Sequence, residues 1–376
     1  MNPPLDMAAP QFQVTRPQPG SLAGLLQLMR DEGASDLHLS AYMAPALRVK
    51  GAMRFYACSP LRPDQVEQLL DEILSSRHKK LLDENHSADL GIELAGLGRF
   101  RVAVYFQRGV LCAAFRLLAD GMPSFAELKL PESLAGLPGF RDGLVLITGS
   151  TGSGKSTTLA TIVDEINRTS ARTIITIEDP VEYMHASRKS VVFQRELHRD
   201  VGSFASAMRD ALRSDPDVIL VGEMRDLETI RTAITAAETG HLVFSTLHSR
   251  DATSTVNRMV GAFPAEEQGQ IRQQLSTSLR AVVSQRLLPA QKGGGRVPAV
   301  EVMFVNNGIA NLIRLGKDEM IYSAIETGLR EGMQTMEQSL IYQVRNGAID
   351  LETALQAARR PDLLRQRLAL GQKGGF

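Results

Sequence analysis

Tryptophan is absent from the 376 residues, and aromatic residues of all kinds make up only 5%. That is thin material for a binding surface built on stacking. Cysteine is limited to Cys58 and Cys112, too few for a disulfide framework and without the CxxC pairs that hold structural zinc. A reducing, cytoplasmic setting is expected. Neither sign of charge is in excess, since 42 Lys and Arg balance 42 Asp and Glu. A general nucleic-acid coat or a polybasic membrane clamp would show a basic surplus, so no nucleic-acid partner is expected. Long apolar runs are missing as well. Stretches such as 144–147 and 218–221 are strand-sized, far short of the ~20 residues that span a bilayer. Residues 1–20 are rich in Pro and Gln with no apolar segment, which predicts a disordered tail rather than a signal peptide.

At roughly 150 residues per domain, the length predicts two domains. The first, over 21–120, opens with a helical pattern (Leu22, Leu25, Leu26, Leu28, Met29) and continues in short strand-like runs at 36–39, 46–49 and 53–56. A helix is expected over 63–75, and residues 98–117 alternate in strand fashion around Phe100, Val102, Val104 and Phe106. This is a small α+β module. Residues 121–139, with Pro123, Pro131 and Pro138, read as a linker. From residue 140 to 376 the character changes. Apolar runs at 144–148, 173–177, 218–221 and 242–246 alternate with helices, the pattern of buried parallel strands in an α/β domain. One helix, over 226–239, has Asp226 as its N-cap and Gly240 as its stop. After Pro264 the stripe Ile271, Leu275, Leu279, Val282, Leu287 reads as helical, with a short strand at 299–305 and further helices beyond.

The strongest chemical signal is Gly149-Ser150-Thr151-Gly152-Ser153-Gly154-Lys155-Ser156. It fits GxxxxGK[ST] at every fixed position, follows an apolar strand, and opens a helical segment that runs from Ser156 and Thr157 to Asn167. Glycines let successive N–H groups and a helix N-terminus surround phosphates. Lys155 reaches the β- and γ-phosphates, and the Ser156 hydroxyl ligates Mg²⁺. ATP and Mg²⁺ are therefore the expected substrate and cofactor.

In an open parallel sheet, ligands bind where the strands end, and each of the four strands ends in polar residues. Glu178, Asp179 and Glu182 follow the second strand, Glu223 the third, and His248 the fourth. Glu223 is the candidate for orienting and polarising the attacking water. Glu178, Asp179 and Glu182 are candidates for positioning it, and His248 for sensing the γ-phosphate. Gly222 occupies the position where a Walker B strand usually carries its magnesium-binding Asp. Ser156 is left as the direct metal ligand, with Glu223 or Glu178 acting through water. His241, seven residues before His248, projects to the opposite side and cannot pair with it on a metal.

These segments carry a resemblance. Glu178-Asp179-Pro180-Val181-Glu182-Tyr183 resembles an Asp box, residues 215–226 a Walker B segment, and Gly240 through His248 a His box, all of the secretion or traffic ATPases. The set is most similar to the type IV pilus retraction ATPases, the PilT/PilU group, and Gly33-Ala34-Ser35-Asp36-Leu37-His38-Leu39 extends the match into the first domain. The resemblance implies a PAS-like N-terminal domain followed by a RecA-like P-loop NTPase domain with a helical C-terminal part. It also implies a homo-hexameric motor for pilus retraction and twitching motility. Such a motor is cytoplasmic, sits at the inner membrane and acts on a membrane-embedded platform protein. ATP would lie between the two domains, completed by arginines of the N-terminal domain, for which Arg101 and Arg116 match.

Two departures stand out. The segment Gly308-Ile309-Ala310-Asn311-Leu312-Ile313-Arg314-Leu315 lacks the first Arg and final Glu of the retraction motif Ala-Ile-Arg-Asn-Leu-Ile-Arg-Glu. The tail over 348–370 is longer than in the main motor and is similar to the accessory PilU-type paralogue, which works beside a second retraction ATPase. A tetracysteine module, usual in extension and secretion ATPases, is missing. The alternatives to a main motor are that accessory role and a nucleotide-gated scaffold with little turnover.

Overall fold

The computed structural model describes residues 20–118, 121–293 and 295–372, and the chain divides into two compact units between Gly121 and Met122. Of the expected tail over 1–20, all but Gly20 lies outside the described residues.

The first unit is a six-stranded antiparallel sheet: β1 (Ala34–Ser40), β2 (Ala46–Val49), β3 (Ala52–Phe55), β4 (Ser87–Leu94), β5 (Gly98–Gln107) and β6 (Val110–Leu117), in the order β3-β2-β1-β6-β5-β4. Period-two alternation gives it two unlike faces. Leu37, Phe115, Val102 and Leu90 are partners in one row across β1, β6, β5 and β4. They share a core with Leu25 and Leu26 of the helix Leu22–Asp31 and with Val66 and Leu70 of the helix Pro63–Asp71. One residue away, the row on the opposite face reads Arg48, Asp36, Arg116, Arg101. The single alternating stretch expected over 98–117 is two strands, because Arg108 and Gly109 turn the chain at positive φ. The helix Ser76–Asn85 escaped the sequence reading; it buries only Leu82 and so shows no apolar stripe.

The second unit is built on seven strands: β7 (Gly143–Thr148), β8 (Thr173–Glu178), β9 (Val191–Glu196), β10 (Val218–Val221), β11 (Leu242–Leu247), β12 (Leu279–Pro289) and β13 (Arg296–Phe304), in the order β13-β12-β7-β11-β10-β8-β9. Only β13 runs antiparallel to its neighbour. Both faces are covered. Val145, Ile147 and Phe244 pack with Leu159, Ile162 and Ile166 of the helix Lys155–Thr169. Leu144, Leu146 and Val243 pack with the helices Leu227–Glu238, Ala252–Gly261 and Ala265–Ser278. The helix after Asp226 is capped as expected, Asp226 Oδ1 accepting from Thr229 N at 2.8 Å.

The structure corrects two expectations. The helical stripe after Pro264 ends at Ser278; Leu279, Val282 and Leu287 belong to β12. Spacing of three and four residues imitates a helix here, but β-branched Val282 and Val283 pair alongside Leu146 and Ile147 of β7. Residues 122–139 are not a free linker. Leu134 and Leu137 of the 3-10 turn Glu132–Gly139 are fully buried against the helix Lys155–Thr169 and the sheet, and burying each such side chain stabilises by roughly 1.5–3 kcal/mol.

Candidate active site

The site grows from the end of β7, whose six residues are all buried. Thr148 Oγ1 donates to Ser284 Oγ of β12 at 2.9 Å, fixing the point where the chain turns. Gly149 has φ of +146°, and a Cβ there would stand 2.3 Å from Gln285 O. Gly154, at φ 90°, caps the helix Lys155–Thr169. Gln285 supports this loop from behind, accepting from Thr158 Oγ1 at 2.9 Å. The first-turn N–H groups of that helix have no partners within it and carry partial positive charge toward the loop.

Lys155 folds back over the loop, and its Nζ donates to Gly149 O at 3.0 Å and Ser150 O at 2.9 Å. Burial pulls its ammonium pKa below the ordinary value, against the pull of Glu223 and Glu182. Ser153 Oγ is buried and has no hydrogen-bond partner among the described residues. A buried hydroxyl with no partner there, in the same loop as a lysine and ahead of a helix N-terminus, fits an anionic ligand. Ser156 is exposed on the first helical turn, free to meet a metal held on that ligand. The Thr157 hydroxyl shares a 3.0 Å hydrogen bond with Tyr183 OH.

Glu223 lies two residues beyond β10. Arg225 grips it in fork fashion, Nη2 donating to Oε2 at 2.7 Å and Nε to Oε1. Burial acts to raise the Glu223 pKa, but Arg225, His248 and Lys155 outweigh it and leave it below the ordinary value. The carboxylate is therefore ionised at neutral pH. His248 follows β11, with Nε2 4.0 Å from Glu223 Oε2. Burial, then the charge of Lys155, push the His248 pKa down, assisted by Arg258 and Arg225 and opposed by Glu223; its imidazole is neutral at pH 7. Ser245 Oγ donates to Val221 O at 2.8 Å and Thr246 Oγ1 to Gly222 O at 2.6 Å, so the loops carrying Glu223 and His248 are tied together. Gly222 itself packs against β8: a Cβ would meet Ile177 O at 3.3 Å and Glu178 Cα at 3.4 Å. A side chain at this position would press on the backbone of β8.

The three acids after β8 separate. Half-buried Glu178 accepts from Thr176 Oγ1 at 2.7 Å and Gln194 Nε2 at 3.3 Å, and burial raises its pKa. Gln194 also donates to Tyr183 O at 2.8 Å, so this pair holds the loop over 178–183 in shape. Asp179 is exposed and acts on Arg225. Glu182 acts on Lys155. Lys155, Glu182, Glu223 and His248 thus form one group, with Glu178 behind it. Arg101 and Arg116 lie in the first unit, directly across β5 and β6 from each other. His241, at the other end of β11, closes the preceding helix by a 3.0 Å contact of Nδ1 with Ala236 O.

Sequence reasoning missed Arg225 and Gln285. Arg225 was legible as the i+2 neighbour of Glu223; Gln285 was hidden by the helical misreading of β12. Among the described residues no group of three or more His, Cys, Asp or Glu could hold a metal by itself.

A phosphate loop between β7 and its helix, with an ionised glutamate beyond β10 and a histidine beyond β11, defines a P-loop ATPase. The family model for type II/IV secretion system proteins matches residues 129–293. The type IV pilus retraction ATPase PilT of Pseudomonas aeruginosa is 47% identical over 90% of this chain and 98% of its own length. The type IV pilus ATPase PilU of the same organism is 38% identical over 93% of this chain and 91% of its own. The crystal structure of the pilus retraction motor PilT with bound ADP superposes with a TM-score of 0.85 at 46% identity, covering 91% of this chain and 98% of that one. The chain belongs to the type II/IV secretion ATPase family, in its type IV pilus retraction group. Its second unit is the RecA-like ATPase domain of that family, preceded by the N-terminal domain.

Proposed function

We propose that this protein is a hexameric motor that uses ATP hydrolysis to retract a type IV pilus, the movement behind twitching motility. The observation that carries the chemistry is Glu223, ionised, clamped by Arg225 and set 4.0 Å from His248 beside the phosphate loop.

ATP phosphates occupy the loop Gly149-Ser150-Thr151-Gly152-Ser153-Gly154, where Lys155 leaves its carbonyl partners to meet them and Ser153 Oγ gains one. Ser156 is the residue that would hold Mg²⁺, which when bound supplies charge neutralisation at the phosphate oxygens. Glu223 polarises the attacking water, and neutral His248 donates toward the γ-phosphate. Glu178, Asp179 and Glu182 shape the loop that faces them. Arg101 and Arg116 are supplied by a neighbouring subunit and stabilise the charge of the transferring phosphoryl group, as an arginine finger does.

No described helix is long and apolar enough to cross a membrane, and force passes to the pilus through an inner-membrane platform protein on whose cytoplasmic side the ring docks. A second reading, an accessory motor beside another retraction ATPase, is favoured by the altered retraction motif. The helix Asn307–Leu315 ends in an exposed Leu315 where that motif has Glu. Glu223→Gln tests the chemistry: turnover should fall at least ~100-fold, the scale of a lost general base, with ATP binding retained. An unchanged rate would leave a nucleotide-gated scaffold.

A further inference from the structure

The loop that carries His248 runs from the end of β11 to the helix Ala252–Gly261, over residues 248–251. Three of its ties come from that helix or from β13. Arg258 Nη1 donates to His248 O at 3.1 Å, Asp251 Oδ1 caps the helix by accepting from Ser254 N at 2.7 Å, and Glu301 Oε1 accepts from Ala252 N at 2.7 Å. Ser249 Oγ, between His248 and the cap, is buried with no hydrogen-bond partner among the described residues, so it adds no tie of its own. A fourth tie arrives from the C-terminal tail. Arg359, between the helices Leu351–Ala357 and Pro361–Gln372, places Nη1 3.5 Å from Asp251 Oδ2.

Arg359 is itself held for that contact. Its backbone N–H and that of Arg360 donate to Glu337 Oε1, both at 2.9 Å, and Tyr322 OH donates to Glu337 Oε2 at 2.6 Å. Glu337 is fully buried on the helix Met336–Arg345. The Arg359 guanidinium lies 5.2 Å from the centroid of the Tyr322 ring. A fixed backbone and an aromatic face leave this side chain little freedom to lose on meeting Asp251. Both members of the pair keep solvent contact, so it adds little to stability, and its consequence is positional.

This step rests on the ATPase reading above, in which His248 donates toward the γ-phosphate. We infer that Arg359 is a positioning residue for that reaction: seated on Glu337 and Tyr322, it fixes Asp251 and with it the loop that aims His248. The tail thus acts on hydrolysis through the loop and not through a contact with the nucleotide.

The test measures steady-state ATP turnover by the full chain with Mg²⁺. Arg359→Ala removes the guanidinium and keeps the backbone bonds to Glu337. Asp251→Asn removes the charge and keeps the helix cap, since asparagine caps as well as aspartate does. Each should lower kcat on the order of tenfold with KM for ATP nearly unchanged, because a misaimed His248 is missed in the transition state and not in binding. The double variant should be no slower than the slower single one, because both substitutions break the same contact. Arg360→Ala is the control; that guanidinium lies over the same ring, 4.7 Å from its centroid, and its loss should leave kcat as in the parent. An unchanged kcat in both single variants, losses that multiply in the double variant, or an equal loss in Arg360→Ala would each overturn the inference and leave the ATPase reading intact. A parent chain that binds ATP without turning it over would overturn that reading, and this inference with it.

Discussion

Glu223 and His248 stand on loops that leave neighbouring parallel strands, and His248 Nε2 lies 4.0 Å from Glu223 Oε2. In the proposed reaction the pair divides the labour by charge. Arg225 keeps the carboxylate ionised, while burial and Lys155 keep the imidazole neutral. Turnover should therefore be level above pH 7 and fall in acid, as His248 protonates below the ordinary histidine value of about 6.5. His248→Gln should lower turnover and remove that acid limb. The measurement is kcat against pH for both proteins; an acid limb that survives in the variant assigns it to another group.

A second titration bears on stability. Glu301, on β13, is buried and accepts from Ala252 N at 2.7 Å. Burial first, then Asp251 and Glu337, push its pKa up to about 7, against Arg359 and the Ala252 bond. The folded chain holds this proton where the unfolded chain has lost it. Its contribution to stability is thus complete below pH 4.5 and lost as pH rises through 7, amounting to about 3 kcal/mol. Glu301→Gln should match the parent near pH 4.5 and exceed it at pH 8 in denaturant midpoint.

Asp36 supports the arginine row of the first unit. Its Oδ1 accepts from Arg116 Nε at 2.8 Å, and Arg48 Nε lies 3.6 Å from Oδ2. Arg116 is two-thirds exposed, so solvent screening holds the pair's contribution to stability to under about 1 kcal/mol. Asp36→Asn should accordingly leave the melting midpoint nearly unchanged yet lower turnover, because Arg116 loses its fixed orientation. Equal turnover in the variant and the parent would separate this ion pair from hydrolysis.

How much of this was legible in the sequence depended on the kind of signal. The phosphate loop was readable because a backbone fold that only glycine permits leaves glycines at fixed spacing, as at Gly149 and Gly154. Parallel strands β7, β8, β10 and β11 were readable because burial on both faces leaves continuous apolar runs. The strand β12 was not, since its apolar spacing suits a helix and only pairing with β7 decides the matter. The packing of Leu134 and Leu137 was hidden among prolines. The roles of Glu178, Asp179 and Glu182 could not be told apart in sequence, because their difference lies in what each faces: Gln194 and Thr176, Arg225, or Lys155.

The claim that the site is shared between subunits has a direct test. Glu223→Gln removes the carboxylate within a chain, and Arg116→Ala removes the arginine that, in the proposed motor, a chain lends to its neighbour. Each variant alone should be nearly inactive. ATP turnover of an equimolar mixture, allowed to exchange subunits, should recover, because some sites then combine an intact Glu223 with an intact Arg116 from the adjacent chain. A mixture no more active than its parts would contradict the shared site.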